Sequence, residues 1–526
     1  MKKAINLISL LVLLFAINLI AKQGDKYLDE TFFVQPTTSI SELHKKFGDI
    51  LSRANTNKYS VAVYSLDKNH FYYEKNANIA LTPASLTKLF TTYNSIKTVG
   101  FDFKYKTKAY IEGVVKNDTL FGSIVIEGSG DPLLTINDLE YLADQISNYG
   151  IKVVTGDLIA DGRVFDKIFH RIKYSGDADV VEPTPPISGL SIDRNTVTVL
   201  VTAGKSGQKT NVQCFPNSDY FRVINNSLVS GKTKGTKKIK SKKTTSLMDD
   251  YRNYYGDELR KRPKKSPITI SSKETNELYQ TINVNGRLSP GSSYSYQLFI
   301  NNPNLAFAGA LASRLTSSNV KFLGKYREVE KNEIIFYSNL IEIANIERNI
   351  WDVINLTNKN SDNYLAESLF KLYANMIAKK SSKSYIDLRD SLSKKLYLEC
   401  EECMLNDGSG LSRRNLVTTR TIINLLKNAY NSEYRDLYLN SLSIGGIDGT
   451  IRKRFKSNSS YNNVKAKTGT LRNVSGLAGY VKSLDGENLI FAFIFNGSDV
   501  GNYKYIENQL AEHLASFYID INLSNE

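Results

Sequence analysis

The sequence predicts an α/β domain that is split in two by a β-rich insertion, and three observations carry that reading. A strand hairpin near the N-terminus is followed by one amphipathic helix. A long stretch of short alternating runs then interrupts the pattern, and helices and strands return to close the chain. With 526 residues the chain is long enough for more than one domain at roughly 150 residues each. Hydrophobic residues at 41% and charged residues at 23% are ordinary for a folded chain and exclude wholesale disorder.

Lys2 and Lys3 precede an apolar run from Ala4 to Ile20, and Ala21 offers a small residue before Lys22-Gln23-Gly24-Asp25. This is the pattern of a secretory signal over residues 1–21. The competing reading is an uncleaved anchor, because the run approaches the ~20 residues that span a bilayer. No Cys follows the run, which disfavours a lipoprotein. The segment after Tyr518 is too short and polar for an anchor, so any membrane contact is expected to be peripheral.

The first part of the split domain is expected over residues 22–100. VAVYSLDKNHFYY, between Tyr59 and Tyr73, alternates as a hairpin does, with Asp67-Lys68-Asn69 at its turn. Pro83 opens a helix with Leu86, Leu89, Phe90 and Tyr93 at helical spacing, ending before Gly100. Residues 101–302 form the β-rich insertion, with runs such as TKAYIEGVV, GSIVIEG and NTVTVLVT between Gly, Asp and Asn turns. A Lys-rich stretch at 231–243 reads as a solvated loop, with polyanion binding as the alternative. The second part is expected over residues 303–526. Its helices are read at Asn304 to Leu315, Ile350 to Leu356 and Asp362 to Ile377, its strands in GLAGYVKS and NLIFAFIFNG, and its last helix from Tyr505 to Tyr518.

The formal charge of +15, from 68 Lys+Arg against 53 Asp+Glu, suits an anionic partner. Export turns that expectation away from nucleic acid and toward wall polymer. Four His make a His-rich metal centre or a Ser-His-Asp triad hard to assemble. Cys400 and Cys403 read as nearby thiols or a local disulfide, since no second C-x-x-C or His cluster follows for zinc.

Ser85-Leu86-Thr87-Lys88 carries the first chemical signal. On a helix, positions i and i+3 share a face, so a neutral lysine can take the serine proton. The same spacing recurs at Ser65/Lys68, Ser206/Lys209 and Ser391/Lys394, so the pattern alone is weak. Only the Ser85 copy opens a helix with an apolar stripe. Ser361-Asp362-Asn363 and Lys467-Thr468-Gly469 follow in order, and S-x-x-K, S-D-N and K-T-G together belong to penicillin-binding proteins and class A β-lactamases.

On these motifs the chain resembles the low-molecular-mass penicillin-binding proteins with D-alanyl-D-alanine carboxypeptidase and endopeptidase activity and a large inserted domain. Gly128-Ser129-Gly130-Asp131-Pro132, Gly156-Asp157-Leu158 with Asp161, and Ser188-Gly189-Leu190-Ser191 with Asn195 are similar to recurrent segments of that insertion. Asp407-Gly408-Ser409-Gly410-Leu411-Ser412-Arg413 and Gly446-Ile447-Asp448-Gly449-Thr450 are similar to later signatures.

The resemblance implies a β-lactamase-like transpeptidase domain that acts on peptidoglycan stem peptides and is acylated by β-lactams. It implies Ser85 as nucleophile, Lys88 as a base neutralised by burial and by the Lys467 cation, Ser361 as proton relay, and Asn363 as the holder of Lys88 and the substrate amide. Lys467 and Thr468, with Gly469, would bind the terminal carboxylate, and the N–H groups of Ser85 and Thr470 would form the oxyanion hole. No metal or cofactor is required. Asp161 and Arg413 are expected to hold a diaminopimelate-type side chain. An exported enzyme on the periplasmic or wall side of the inner membrane is therefore expected. The competing readings are a serine β-lactamase of the same superfamily, which the long insertion opposes, and a non-catalytic wall-binding scaffold, which has no need of all five reactive residues.

Overall fold

The computed structural model describes residues 35–177, 182–231, 267–276, 278–330, 332–381, 400 and 402–519. The expected signal segment, the Lys-rich stretch from residue 232 and the Ser391/Lys394 pair lie outside them.

The split domain is built on a six-stranded sheet shared by both ends of the chain. Strand Tyr59–Ser65 pairs antiparallel with His70–Lys75 on one side and with Asn488–Asn496 on the other. The sheet continues through Val474–Lys482, Lys465–Leu471 and Ser443–Ile444. Because side chains alternate along a strand, each strand feeds two cores. Val61, Val63, Phe491, Phe493 and Phe495 pack with residues of helices Ile40–Leu51 and Val500–Ala515. Ala62, Ile490, Ala492 and Ile494 pack with residues of helices Thr87–Val99, Ile350–Lys359 and Thr419–Tyr430. Residues 489–495 are buried without a break, which is why NLIFAFIFNG is apolar throughout rather than alternating. Truncating one of these rings, as in Phe493→Ala, is expected to cost about 3–5 kcal/mol.

The insertion has its own core. Strands Lys104–Lys116 and Thr119–Glu127 form a hairpin inside a seven-stranded sheet, on which helices Ile136–Asn148 and Pro303–Ser317 pack. Two three-stranded sheets lie beyond it. The helix Ile136–Asn148 is absent from the sequence reading, although Thr135 and Asp138 form a capping box and Leu139, Leu142, Ala143 and Ile146 are its buried stripe. The expected return of the second part at residue 303 also differs from the sheet's own limit. Strand Ile341–Asn349 pairs with Lys104–Lys116, setting Ile341 against Ile111, so the insertion's sheet closes only just before helix Ile350–Lys359. Helix Pro303–Ser317 thus lies between strands of one sheet, where the return of helical periodicity suggests a change of domain.

Cys400 and Cys403 are joined by a disulfide. Among the described residues no helix is long and apolar enough to cross a membrane.

Candidate active site

Ser85 lies in a single 3-10 turn, Ala84–Leu86, that runs into helix Thr87–Val99. Ala84 holds a φ of 50°, a left-handed conformation that disfavours residues with a Cβ, so the turn is strained where it presents the serine. Two glycines press against it. A Cβ on Gly469 would come within 2.5 Å of the Pro83 carbonyl oxygen, and one on Gly410 within 2.0 Å of that of Ala84. Half-buried Ser85 thus sits between strand Lys465–Leu471 and the loop after Asp407.

Lys88, one turn on, is fully buried. Its Nζ lies 3.0 Å from Ser85 Oγ, 2.7 Å from Asn363 Oδ1 and 2.6 Å from the Ser409 carbonyl oxygen. Burial brings the amine down to about 8, against the opposing pull of Asp407, Glu367, Asp362 and Glu182. A neutral amine has two N–H groups and one lone pair. The two carbonyl oxygens can take the N–H groups, which leaves the lone pair toward the Ser85 hydroxyl.

Ser361 and Asn363 flank the start of helix Asn363–Ser381, where the Asp362 carboxylate accepts the Leu365 N–H at 3.0 Å. Asp362 thus caps the helix, while Ser361 and Asn363 on either side of it bond the two lysines. Ser361, with φ 57°, accepts a hydrogen bond from Lys467 Nζ at 2.8 Å. Lys467 also donates to the Thr468 carbonyl at 2.9 Å and is fully buried. Burial, then the charge of Lys88, pushes the Lys467 amine well below its ordinary value. Burial is the main cause that depresses Lys88, and the repulsion between the two buried lysines disfavours the state in which both are charged. Thr468 Oγ1 donates to Thr450 Oγ1 at 2.9 Å, and Thr470 is exposed on the same strand.

The structure brings Ser85, Lys88, Ser361, Asn363 and Lys467 together as two hydrogen-bonded groups, Ser85–Lys88–Asn363 and Ser361–Lys467, near enough for the Lys88 charge to act on Lys467. The other copies of the spacing are engaged elsewhere. Ser65 Oγ donates to buried Glu487, and Ser206 Oγ to the Ser230 carbonyl at 2.9 Å.

Asp161 and Arg413 rest on separate supports. Asp161 ends a strand of the insertion and lines a cavity of about 670 Å³ with Lys106, Glu127 and Arg163. Arg163 grips both its oxygens, at 2.8 and 2.6 Å, and the Tyr337 hydroxyl donates at 2.7 Å. These partners hold its carboxyl below the usual range although burial opposes them. Exposed Arg413 donates to the Arg472 carbonyl at 2.7 Å, in the turn after Thr470. Among the described residues neither makes a hydrogen bond or ion pair with the serine–lysine cluster.

Several groups at the site escaped the sequence reading. Glu182 accepts from Asn363 Nδ2 at 2.7 Å, and Arg194 pairs with Asp362 at 2.7 Å while lying over the Tyr364 ring. Buried Glu367 accepts the Ser409 N–H at 2.8 Å. Only the last had a local signal, a glutamate within the apolar run YLAESLF.

A profile of the D-Ala-D-Ala carboxypeptidase 3 (S13) family matches residues 43–279 and 260–517. The D-alanyl-D-alanine carboxypeptidase DacB of Haemophilus influenzae is 25% identical over 450 residues, covering 84% of this chain and 85% of that protein. A D-alanyl-D-alanine carboxypeptidase from Actinomadura sp. is 25% identical over 465 residues, covering 85% and 79%. The crystal structure of penicillin binding protein 4 from H. influenzae shares the fold, with a TM-score of 0.64 at 21% identity over 91% of this chain and 98% of that one. With a match that runs from the first described helix to the end of the last, the chain belongs to the D-Ala-D-Ala carboxypeptidase 3 (S13) family.

Proposed function

We propose that Ser85 is the nucleophile with which this D-Ala-D-Ala carboxypeptidase cleaves peptidoglycan stem peptides, and that β-lactams acylate the same oxygen. The observation that carries the reading is the set of partners around Lys88, two carbonyl acceptors and one hydroxyl. Ser85 Oγ attacks the carbonyl of the penultimate D-Ala as its proton passes to Lys88 Nζ. The oxyanion faces the backbone N–H groups of Ser85 and Thr470. Ser361 hands a proton to the departing amine, D-Ala leaves, and water releases the acyl group by the reverse path. Asn363 keeps Lys88 in line and offers its amide to the substrate.

Lys467 and Thr468 take the terminal carboxylate, and Gly469 lets the strand approach the serine turn. An arriving carboxylate favours the charged form of the buried Lys467 amine and so opposes the burial that disfavours it. Asp161 and Arg413 serve the far end of the stem peptide. Their test is the D-Ala release ratio between a peptide with a diaminopimelate-type terminus and one with a neutral isostere. Asp161→Ala and Arg413→Ala should each erase most of that preference and leave penicillin acylation intact, and unchanged ratios would remove both from the site. We place the enzyme outside the cytoplasmic membrane, on the periplasmic or wall side, where its polymer substrate lies.

The decisive experiment is mass spectrometry after incubation with a penicillin. One adduct, on the peptide containing Ser85, is expected. An adduct on Ser65 or Ser206 would overturn the assignment.

A further inference from the structure

One side of Lys88 faces the reacting serine, and the other rests on a buried charged layer that acyl transfer does not use. Glu367 lies four residues after Asn363 on the same helix, so the two share a face. Its Oε1 accepts the Ser409 N–H at 2.8 Å, and its Oε2 accepts the Tyr174 hydroxyl at 2.9 Å. Ser409 in turn receives Lys88 Nζ on its carbonyl oxygen at 2.6 Å. A single residue is thus held from its amide side by Glu367 and from its carbonyl side by the amine. Gly410, the next residue, is pressed against the serine turn.

The charged and titratable groups around Glu367 come from four elements. Asp407 lies on the Ser409 loop and bonds Arg171 at 2.7 Å, with both side chains fully buried. Arg171 and Tyr174 arrive on the short insertion helix Arg171–Ser175. Lys88 comes from the serine helix, and Lys371 and Tyr373 from Glu367's own helix, with Lys371 bound to Asp166 at 2.6 Å. Burial and then Asp407 push the Glu367 carboxyl up, while Arg171, the Ser409 amide and the Tyr174 hydroxyl pull it back. The Asp407 and Glu367 carboxylates are the two largest charges that favour the protonated Lys88 amine.

We propose that Glu367 is a positioning residue for the lysine base: it fixes the Ser409 carbonyl that orients Lys88, and it places a buried carboxyl group behind the amine. Tyr174, delivered by the insertion, favours the charged form of Glu367 against the burial that opposes it. The inference rests on Lys88 being the base.

The test is the pH profile of kcat/KM for D-Ala release, and of the penicillin acylation rate, in Glu367→Gln. Glutamine keeps the size and the acceptor for Ser409 but lacks the charge. A negative neighbour favours the ammonium form, so its loss should move the acid limb to lower pH by about one unit. Tyr174→Phe should move the limb the same way by less, because a carboxylate that loses a donor protonates more readily. A merely structural role would lower the plateau and leave the limb in place, and an unmoved or raised limb in Glu367→Gln overturns the proposal. Should that variant fail to melt cooperatively, the limb of Tyr174→Phe decides alone, by the same criterion. Lys88→Met separates the two readings, since acylation that survives it refutes the base itself rather than its support.

Discussion

The six-stranded sheet is covered by helices on both faces, whereas the seven-stranded sheet of the insertion carries a hairpin whose outer end stands in solvent. Val114 and Phe121 face each other across that hairpin and are 59% and 56% exposed. The two regions also meet the site differently. The doubly covered region supplies Ser85, Lys88, Ser361, Asn363 and Lys467, carried on packed helices and a strand or on the turns that lead into them. The insertion reaches in through polar tips: Arg171 to Asp407, Tyr174 to Glu367, Glu182 to Asn363 and Arg194 to Asp362. In the proposed chemistry one region changes bonds and the other holds the first in place. Removing a group should therefore cost far more in the first region than in the second.

The largest effect should come from Lys88→Met, which removes the base and keeps most of the buried volume. D-Ala release is expected to fall by about a thousandfold or more in single-turnover assays, within the range of general-base loss. Lys467→Ala comes next. A charge-assisted contact to a carboxylate is worth roughly 2–4 kcal/mol in a partly desolvated site, so acylation by peptide and penicillin should fall about 30- to 1000-fold. Normal kcat/KM on a D-Ala-D-Ala peptide would remove Lys467 from the carboxylate site.

The third effect is on pH. The base must be neutral to act, and burial brings Lys88 to about 8. kcat/KM should therefore drop about tenfold for each unit below that value and level off above it. A profile already flat at neutral pH would mean that the titrating base is another group.

The smallest effect belongs to Arg194→Ala. Its side chain is 44% exposed, so the ion pair with Asp362 is screened, and the Asp362 cap on Leu365 survives its loss. Steady-state kcat/KM should fall about three- to tenfold through looser positioning of Asn363. A loss as deep as that of Lys467→Ala would show that the insertion does more than hold.

What was legible in the sequence follows from the range of each interaction. The hairpin at Tyr59 and the helix after Pro83 declare themselves through periodicity, and the strand NLIFAFIFNG through an unbroken apolar run, all within about a dozen residues. Ser85, Lys88, Ser361, Asn363 and Lys467 are legible because three short motifs keep reactive types at fixed spacing. The Arg171–Asp407 pair spans 236 residues, and Glu182 lies 181 residues from Asn363, so no local pattern marks either. The last strand of the insertion's sheet is hidden for the same reason, since Ile341–Asn349 is recognised only by its distant partner Lys104–Lys116. Asp161 was legible as a strand end before Arg163, but the Tyr337 hydroxyl that completes its surroundings is 176 residues away.

The pairing of the first hairpin with Asn488–Asn496 also governs when the enzyme can exist at all. Ser65 meets Glu487 across 422 residues of chain. A ribosome adds roughly 5–20 residues per second, so the N-terminal hairpin waits on the order of 20 to 80 seconds for its neighbour. Throughout that interval Tyr59–Ser65 is an unpaired edge of the kind that templates association. All three motifs have been made by residue 469, yet the surface that aligns them is still lacking two of its strands. The proposed site is thus completed late, with the closing turns of the polypeptide, and a chain cut just after Lys482 is expected to carry every proposed reactive side chain and remain unlabelled by penicillin.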